Sequence, residues 1–266
     1  MEQATLIQAL ILGVVEGLTE FLPVSSTAHL IIAGDLLGFS GETGKTFEVV
    51  IQLGAIMGVV WTCRARILDV VVHARRSPQR RLLLNLLLAF LPAGLLGLAC
   101  HRYIKQHLFN PLTVAVPLMV GGLAILFIEG WYKRQRSHVE SLADLKPGQA
   151  LAVGLAQTLA LVPGVSRAAA TIMGGLLTGL SRTPATEFSF LLAIPTMLSA
   201  ALFDLYSNWQ VLRSTDAAAF GVGLVSAFVT ALLVVRTLMV YVSRHTFRPF
   251  GWYRLALGAV VALYFW

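Results

Sequence analysis

The chain has 266 residues, of which 57% belong to the apolar and aromatic set AVILMFWYC and only 12% are charged, with a mean hydropathy of +0.77. Soluble domains carry about 25% charged residues. A globule this poor in charge cannot cover its surface in water, and a disordered chain would not be so apolar. What remains is a polytopic membrane protein, and the net charge of +7 does not point to nucleic acid because the cations cluster between apolar stretches.

Taken in chain order, the N-terminus (MEQATLIQ) has neither the basic n-region nor the small-residue cleavage site of a signal peptide, so the first apolar segment is expected to stay in the mature fold. Residues 5–38 are apolar but interrupted by Pro23-Val24-Ser25-Ser26-Thr27. Spans of membrane length are expected at roughly 47–63, 82–100 and 112–131. Residues 148–181 repeat the first pattern, interrupted by Pro163-Gly164-Val165-Ser166-Arg167. Three more spans follow at roughly 186–206, 218–240 and 250–266. Broken helices are tolerated at membrane depth only where protein or a cavity surrounds them.

The two breaks match each other. Ser25 lies nine residues after Glu16, and Ser166 lies nine residues after Gln157. The expected fold is an all-α polytopic membrane protein with an inverted-topology repeat, six transmembrane helices and two re-entrant helical hairpins. It forms a single integral membrane domain over 1–266, with pseudo-repeat halves 1–140 and 141–266. Paired interrupted segments of this kind point to a binding site at the midplane.

Charge sets the orientation. Six of the 20 Lys and Arg lie between Arg64 and Arg81, and four between Lys133 and Lys146. Reading both stretches as cytoplasmic loops places 101–111 and 207–217 outside. Fourteen cations then face inward, against Lys45, Arg102, Lys105 and Arg213 outside. Cys63 and Cys100 fall at opposite faces and cannot pair within one molecule. Small-xxx-small spacings at Gly13/Gly17, Gly34/Gly38, Gly54/Gly58 and Gly175/Gly179 suit close helix packing in lipid. Trp131, Tyr132, Tyr206, Trp209, Trp252, Tyr253 and Trp266 read as interfacial belt anchors. His73, His101, His107, His138 and His245 read as interfacial bystanders, and Glu129 and Asp204 as span-end residues satisfied by solvent or loops.

Ionisable side chains inside apolar segments need a reason, since each costs about 2.5–3.5 kcal/mol at a helix centre. Glu16, Glu20, His29, Glu48 and Arg167 are the cases here. Glu16 and Glu20 are i, i+4 and share a helix face, so they must share a proton, meet a cation or face water. Arg167 offers a planar fork that suits carboxylate or phosphate. Ser25 or Ser26 can cap the helix that starts after Pro23. Ser26 and His29, at i, i+3, outline a hydroxyl beside a base. Ser166 opens a second helix, with Thr171 further along. Two helix N-termini and Arg167 aimed into one cavity make an anion site, and phosphate or diphosphate fits it best. Glu48, Gln52 and Glu187 lie near the mouths of the spans that follow each hairpin.

The run Glu16-Gly17-Leu18-Thr19-Glu20-Phe21-Leu22-Pro23-Val24-Ser25-Ser26-Thr27-Ala28-His29 closely resembles the first signature of the undecaprenyl-diphosphate phosphatases, the bacitracin-resistance family. Pro163-Gly164-Val165-Ser166-Arg167-Ala168-Ala169-Ala170-Thr171 resembles the second, and the similarity continues through Lys45–Gly54 and Glu187–Ala193. The resemblance implies a hydrolase of the bacterial inner membrane that converts undecaprenyl diphosphate to the monophosphate. Such an enzyme recycles the lipid carrier of peptidoglycan synthesis and confers bacitracin resistance, with its site open to the extracytoplasmic side. It implies catalytic roles for Ser26, His29, Glu20, Glu16 and Arg167, with either Ser26 or His29 as nucleophile. Ser25, Thr27, Ser166, Thr171 and Gln52 are the substrate-binding candidates. Glu16 and Glu20 would hold a divalent cation, Mg²⁺ or Ca²⁺. The implied partners are a polyprenyl diphosphate and membrane lipids, with no nucleic acid, and a homodimer is left open. Two departures stand out: Ala28 where the family usually has Gly, and Ala168-Ala169 where it has Ser-Gly. The rival reading is a secondary transporter or flippase for a lipid phosphate or other anion, which would use the same cavity but has no need of the Ser26–His29 pair.

Overall fold

A computed structural model of the chain describes residues 5–39, 42–107, 111–133, 139–207 and 217–265. These residues form ten α-helices: α1 (Leu6–Thr19), α2 (Ser26–Leu36), α3 (Glu42–Val72), α4 (Ser77–His107), α5 (Pro111–Tyr132), α6 (Pro147–Thr158), α7 (Arg167–Leu177), α8 (Arg182–Ser207), α9 (Ala217–Val242) and α10 (Arg248–Tyr264). No strand occurs among the described residues, only an isolated bridge between Val139 and Leu180. The all-α expectation therefore holds.

Five helices are long and apolar enough to cross a membrane, over Gly44–Val72, Ser77–Cys100, Thr113–Tyr132, Arg182–Ser207 and Ala217–Val242. Large apolar side chains cover their outer faces, among them Leu95, Val120, Phe127 and Val240. So much exposed hydrocarbon is what lipid, not water, solvates. The molecule is a multi-pass membrane protein. The stretch of the sixth expected span, near 250–266, forms α10, a 17-residue helix that is not among these five.

Helix ends differ most from expectation where charge was taken for loop. The stretch 64–81 is not a loop: α3 runs on to Val72 and α4 starts at Ser77. A cation does not interrupt backbone hydrogen bonding, so a helix can continue past the apolar layer. Arg64 folds back over the Trp61 ring, 4.9 Å from its centroid, and Arg66 pairs with Glu187 of α8 at 3.4 Å. Likewise α4 continues to His107. The expected loop 207–217 falls almost wholly on 208–216, which with Arg134, Arg136, His138 and Trp266 lies outside the described residues. Cys63 and Cys100 are both free thiols.

Two side chains read as peripheral are structural. Glu129 is fully buried and accepts from Arg182 Nε at 3.0 Å, Arg182 Nη2 at 2.6 Å and the Phe247 amide at 2.7 Å. It thereby ties α5 to α8 and to the start of α10. Tyr132 is no belt anchor either, being buried beneath the Arg182 guanidinium, 4.5 Å from its ring centroid.

The two interrupted regions are built alike. α2 and α7 each have 11 residues, about 16 Å of helix, roughly half the apolar layer. Each is preceded by a serine with left-handed backbone, Ser25 at φ 73° and Ser166 at φ 71°, the only non-glycine positive φ values among the described residues. Each is ended by a left-handed glycine, Gly38 at φ 66° and Gly179 at φ 90°. The members of each pair lie 141 residues apart. Gly34/Gly38 and Gly175/Gly179 are thus helix endings more than packing seams.

The other two spacings are seams. Gly13 and Gly17 of α1 and Gly54 and Gly58 of α3 all face α9, whose backbone between Gly223 and Leu232 comes so close that a Cβ at any of the four would overlap it. Gly54→Val is expected to force α3 from α9 at a cost of about 1–3 kcal/mol. Gly130→Ala, whose Cβ would meet open space, should leave stability unchanged. Equilibrium unfolding in mixed micelles checks both.

Candidate active site

The breaks bring their polar residues together from opposite ends of the sequence. α1 ends at Thr19 and carries Glu16 and Glu20 to the first break, both buried, Glu16 at 1% and Glu20 at 8% exposure. The chain turns through Phe21–Val24, and the strained φ of Ser25 redirects it into α2. Ser26, the first residue of α2, donates its hydroxyl to Glu20 Oε2 at 2.5 Å. The other oxygen, Glu20 Oε1, accepts from Arg167 Nη2 at 3.4 Å. A continuous chain of hydroxyl, carboxylate and guanidinium therefore crosses from the first break to the second.

Arg167 is the first residue of α7. Its Nη1 donates to the Ser189 carbonyl of α8 at 3.2 Å, and its guanidinium lies 5.5 Å from the Phe21 ring centroid. Its Nε is buried and has no hydrogen-bond partner among the described residues. The same is true of Glu16 Oε1. Glu16 sits in the field of Glu20 and Glu48, both carboxylates, and of Arg167. Glu16 and Glu20 thus lie in the field of one guanidinium, and Glu16 Oε1 and Arg167 Nε are both buried without a hydrogen-bond partner among the described residues.

Several expected roles take a different geometry. The Ser26–His29 pair does not form. His29 Nδ1 lies 2.7 Å from the Ser25 carbonyl and Nε2 lies 2.7 Å from the Tyr253 hydroxyl of α10. A carbonyl only accepts, so Nδ1 carries the proton; in the neutral ring the Nε2 lone pair then faces Tyr253 rather than Ser26. The residue beside the Ser26 hydroxyl is Glu20.

Ser166 does cap its helix, its Oγ accepting from the Ala169 amide at 3.2 Å, whereas Ser25, 2% exposed, makes no side-chain cap to α2. The α7 N-terminus is therefore partly satisfied, and the α2 N-terminus keeps its amides free of a serine cap. Thr171 is buried one turn after Arg167 on the same side of α7, hydrogen bonded to Ser189 Oγ at 2.6 Å and to the Arg167 carbonyl at 2.9 Å. It braces the residue that holds Arg167 instead of lining a cavity. Thr27 and Gln52 are half-buried and make no hydrogen bond to this cluster.

Sequence reasoning missed Ser189 and Tyr253. Ser189 lies in the quoted Glu187–Ala193 run, but a backbone carbonyl leaves no signature. Tyr253 looked like a belt residue because it sits near a span end. Ala28 and Ala168 are both fully buried, Ala28 against Val114, Ala115 and Leu118, and Ala168 in the main core. The Ala168 methyl is packing, and a hydroxyl there would have to find its partner within the core.

Residues 9–260 match the family model described as bacitracin resistance protein BacA. The chain is 50% identical to the undecaprenyl-diphosphatase of Methylobacillus flagellatus over 269 residues, covering all of both chains. It is 53% identical to the undecaprenyl-diphosphatase of Methylococcus capsulatus over 257 residues, covering 96% of this chain and 93% of the relative. With undecaprenyl-diphosphatase 2 of Paramagnetospirillum magneticum it shares 51% over 258 residues, 97% and 98% of the two chains. The chain belongs to the BacA family. Within that family frame, the Ser26–Glu20–Arg167 chain is the feature of this molecule that any account of activity must use.

The buried ion pair makes a stability prediction independent of activity. Arg167→Ala leaves Glu20 buried without its cation and should destabilise the protein by about 3–5 kcal/mol. Glu20→Gln combined with Arg167→Met removes both charges and should recover most of that loss, as measured by unfolding in mixed micelles.

Proposed function

We propose that the protein hydrolyses undecaprenyl diphosphate to undecaprenyl phosphate and inorganic phosphate, recycling the lipid carrier for peptidoglycan synthesis and thereby conferring bacitracin resistance. The observation that carries the chemistry is the Ser26 hydroxyl held on a carboxylate oxygen of Glu20, with Arg167 on the other oxygen. The names of the relatives support the substrate.

In this mechanism Arg167 and the uncapped amides at the start of α2 receive the terminal phosphate. Ser26 Oγ attacks the terminal phosphorus in line as its proton passes to Glu20. The Ser–O–P bond forms, the bond from that phosphorus to the bridging oxygen breaks, and undecaprenyl phosphate leaves. Water then attacks the phosphoserine, giving inorganic phosphate and returning the proton to Ser26. His29, its Nδ1 on the Ser25 carbonyl, orients the strained turn that presents Ser26. The alternative with His29 as nucleophile is less favoured, because its free lone pair faces Tyr253.

A divalent cation fits the orphaned Glu16 Oε1, and Glu16 with Glu20 would hold it. Among the described residues no group of three or more His, Cys, Asp or Glu side chains is arranged to bind a metal alone. The donor set is therefore one that relies on substrate phosphate oxygens, as Mg²⁺ sites commonly do. When bound, the cation supplies charge neutralisation at those oxygens.

The matched 11-residue helices, serine turns and glycine ends support an inverted repeat with two re-entrant hairpins and α10 as a sixth span, all in one domain. Their meeting through Ser26, Glu20 and Arg167, together with the cation distribution, supports a site that opens to the extracytoplasmic side of the bacterial inner membrane.

The test is phosphate release from undecaprenyl diphosphate by detergent-purified protein. Ser26→Ala should lower turnover about 10³-fold and Arg167→Ala about 10²–10³-fold. Chelation, and Glu16→Gln at saturating Mg²⁺, should each lower it by about tenfold or more. Near-normal turnover in Ser26→Ala sinks the serine mechanism. No release from the unaltered protein under any metal condition, with lipid phosphate still bound, would move the reading to transport.

A further inference from the structure

Among the described residues Arg254 is the largest fully buried side chain and belongs to no ion pair. Its hydrogen bonds go entirely to backbone carbonyls. Nε donates to Leu118 at 3.1 Å, Nη1 to Pro23 at 3.2 Å, and Nη2 to Gly164 at 2.9 Å and Pro117 at 3.3 Å. The acceptors Pro23 and Gly164 are the structurally equivalent positions of the two breaks. Each lies two residues before its left-handed serine and three before the first helical residue, Ser26 in one case and Arg167 in the other. The other two acceptors belong to α5.

Space for the fork is made on purpose-built backbone. A Cβ at Gly121 of α5 would overlap Nη2 and come within 2.9 Å of Cζ. Only glycine at this position lets the guanidinium lie flat between α5 and the breaks. The charge is not neutralised by a carboxylate, which is costly in an apolar layer, and the carbonyl dipoles are its whole compensation. Such a cost calls for a task that a neutral side chain could not do.

We propose that Arg254 is a positioning residue of the diphosphate site, a clamp whose rigid fork sets the separation between Ser26 and Arg167 by holding both breaks against α5. This deepens the reading given under Proposed function and rests on it. The fork is what the task needs. Three nitrogens fixed in one plane reach two breaks and a helix at once, whereas the single ammonium of lysine is a point donor that cannot span them. Nucleophile and phosphate-holding cation come from opposite halves of the chain. Their alignment is therefore a tertiary matter, and a displacement of about 1 Å can cost about 100-fold in rate.

Arg254→Lys keeps the charge and removes the fork. Purified in detergent, the folded variant should lose about 100-fold in kcat per folded molecule with KM within about threefold of the unaltered protein. Hydrogen–deuterium exchange should rise together in 22–27, 163–168 and 117–122. A variant with kcat per folded molecule within twofold of normal, or with exchange raised around residue 254 alone, overturns the clamp. Should Arg254→Lys fail to accumulate, Gly121→Ala keeps the arginine and crowds its fork. It should show the same joint rise in exchange and about a tenfold loss in kcat, and normal values for both would overturn the proposal. Exchange does not depend on the reaction, so absence of phosphate release from the unaltered protein counts against the assigned activity and leaves the clamp to be judged by exchange.

Discussion

A helix that stops inside the buried interior of a membrane protein frees amide and carbonyl groups that no water can satisfy, and everything distinctive in this molecule follows from how those groups are met. The chain stops twice, before Ser26 and before Arg167. At the second break Ser166 turns its own hydroxyl onto the α7 amides. At the first, Ser25 makes no such bond. The carbonyls upstream of both breaks go to Arg254. The amides of α2 therefore remain as the unfilled part of the arrangement, next to the Ser26 hydroxyl and across from Arg167. On the proposed reading, an anion completes what the fold leaves incomplete there.

The two intramembrane arginines divide the work by the kind of partner each has. Arg167 is matched by a carboxylate, so its charge is locally balanced, while its Nε is buried without a partner among the described residues. Arg254 is matched only by dipoles and uses all three nitrogens in doing so. The first can exchange partners with an incoming anion, since Glu20 retains Ser26 when the guanidinium moves. The second cannot move without undoing both breaks.

The parts of the site legible in the sequence were those whose signal is local. Glu16, Glu20 and Arg167 are anomalous at any membrane depth, and a proline followed by serines marks a broken helix without any partner being known. The resemblance to a known phosphatase family added the chemistry and came from contiguous runs. What could not be read was pairing across a break. Ser26 and His29 looked like partners because helical spacing was applied to them, but the true partner, Glu20, precedes the turn, where helical periodicity has no meaning. Thr171 failed similarly: its type suited a phosphate, yet its face was set by packing against Ser189. Helix ends at Arg64 and Arg66 were misplaced because charge marks the edge of the lipid and not the end of hydrogen bonding. Tyr253 and Arg254 entered from the far end of the chain, a distance at which spacing carries no information.

Charge balance decides what else the site needs. Glu16 and Glu20 stand against Arg167, and Glu48 has Lys45 in its field, so with all groups ionised the first two carry one negative charge that Arg167 does not offset. The hydrogen bond from Ser26 and the ion pair with Arg167 already account for both oxygens of Glu20. The excess therefore resides on Glu16, whose Oε1 is buried without a partner among the described residues. On the proposed reading, neutralising it, by a proton or by a cation shared with the substrate, favours entry of the diphosphate. On the proposed reading Glu16 is then the group that makes binding of the diphosphate conditional, and Glu20 the group that takes up the proton in its cleavage.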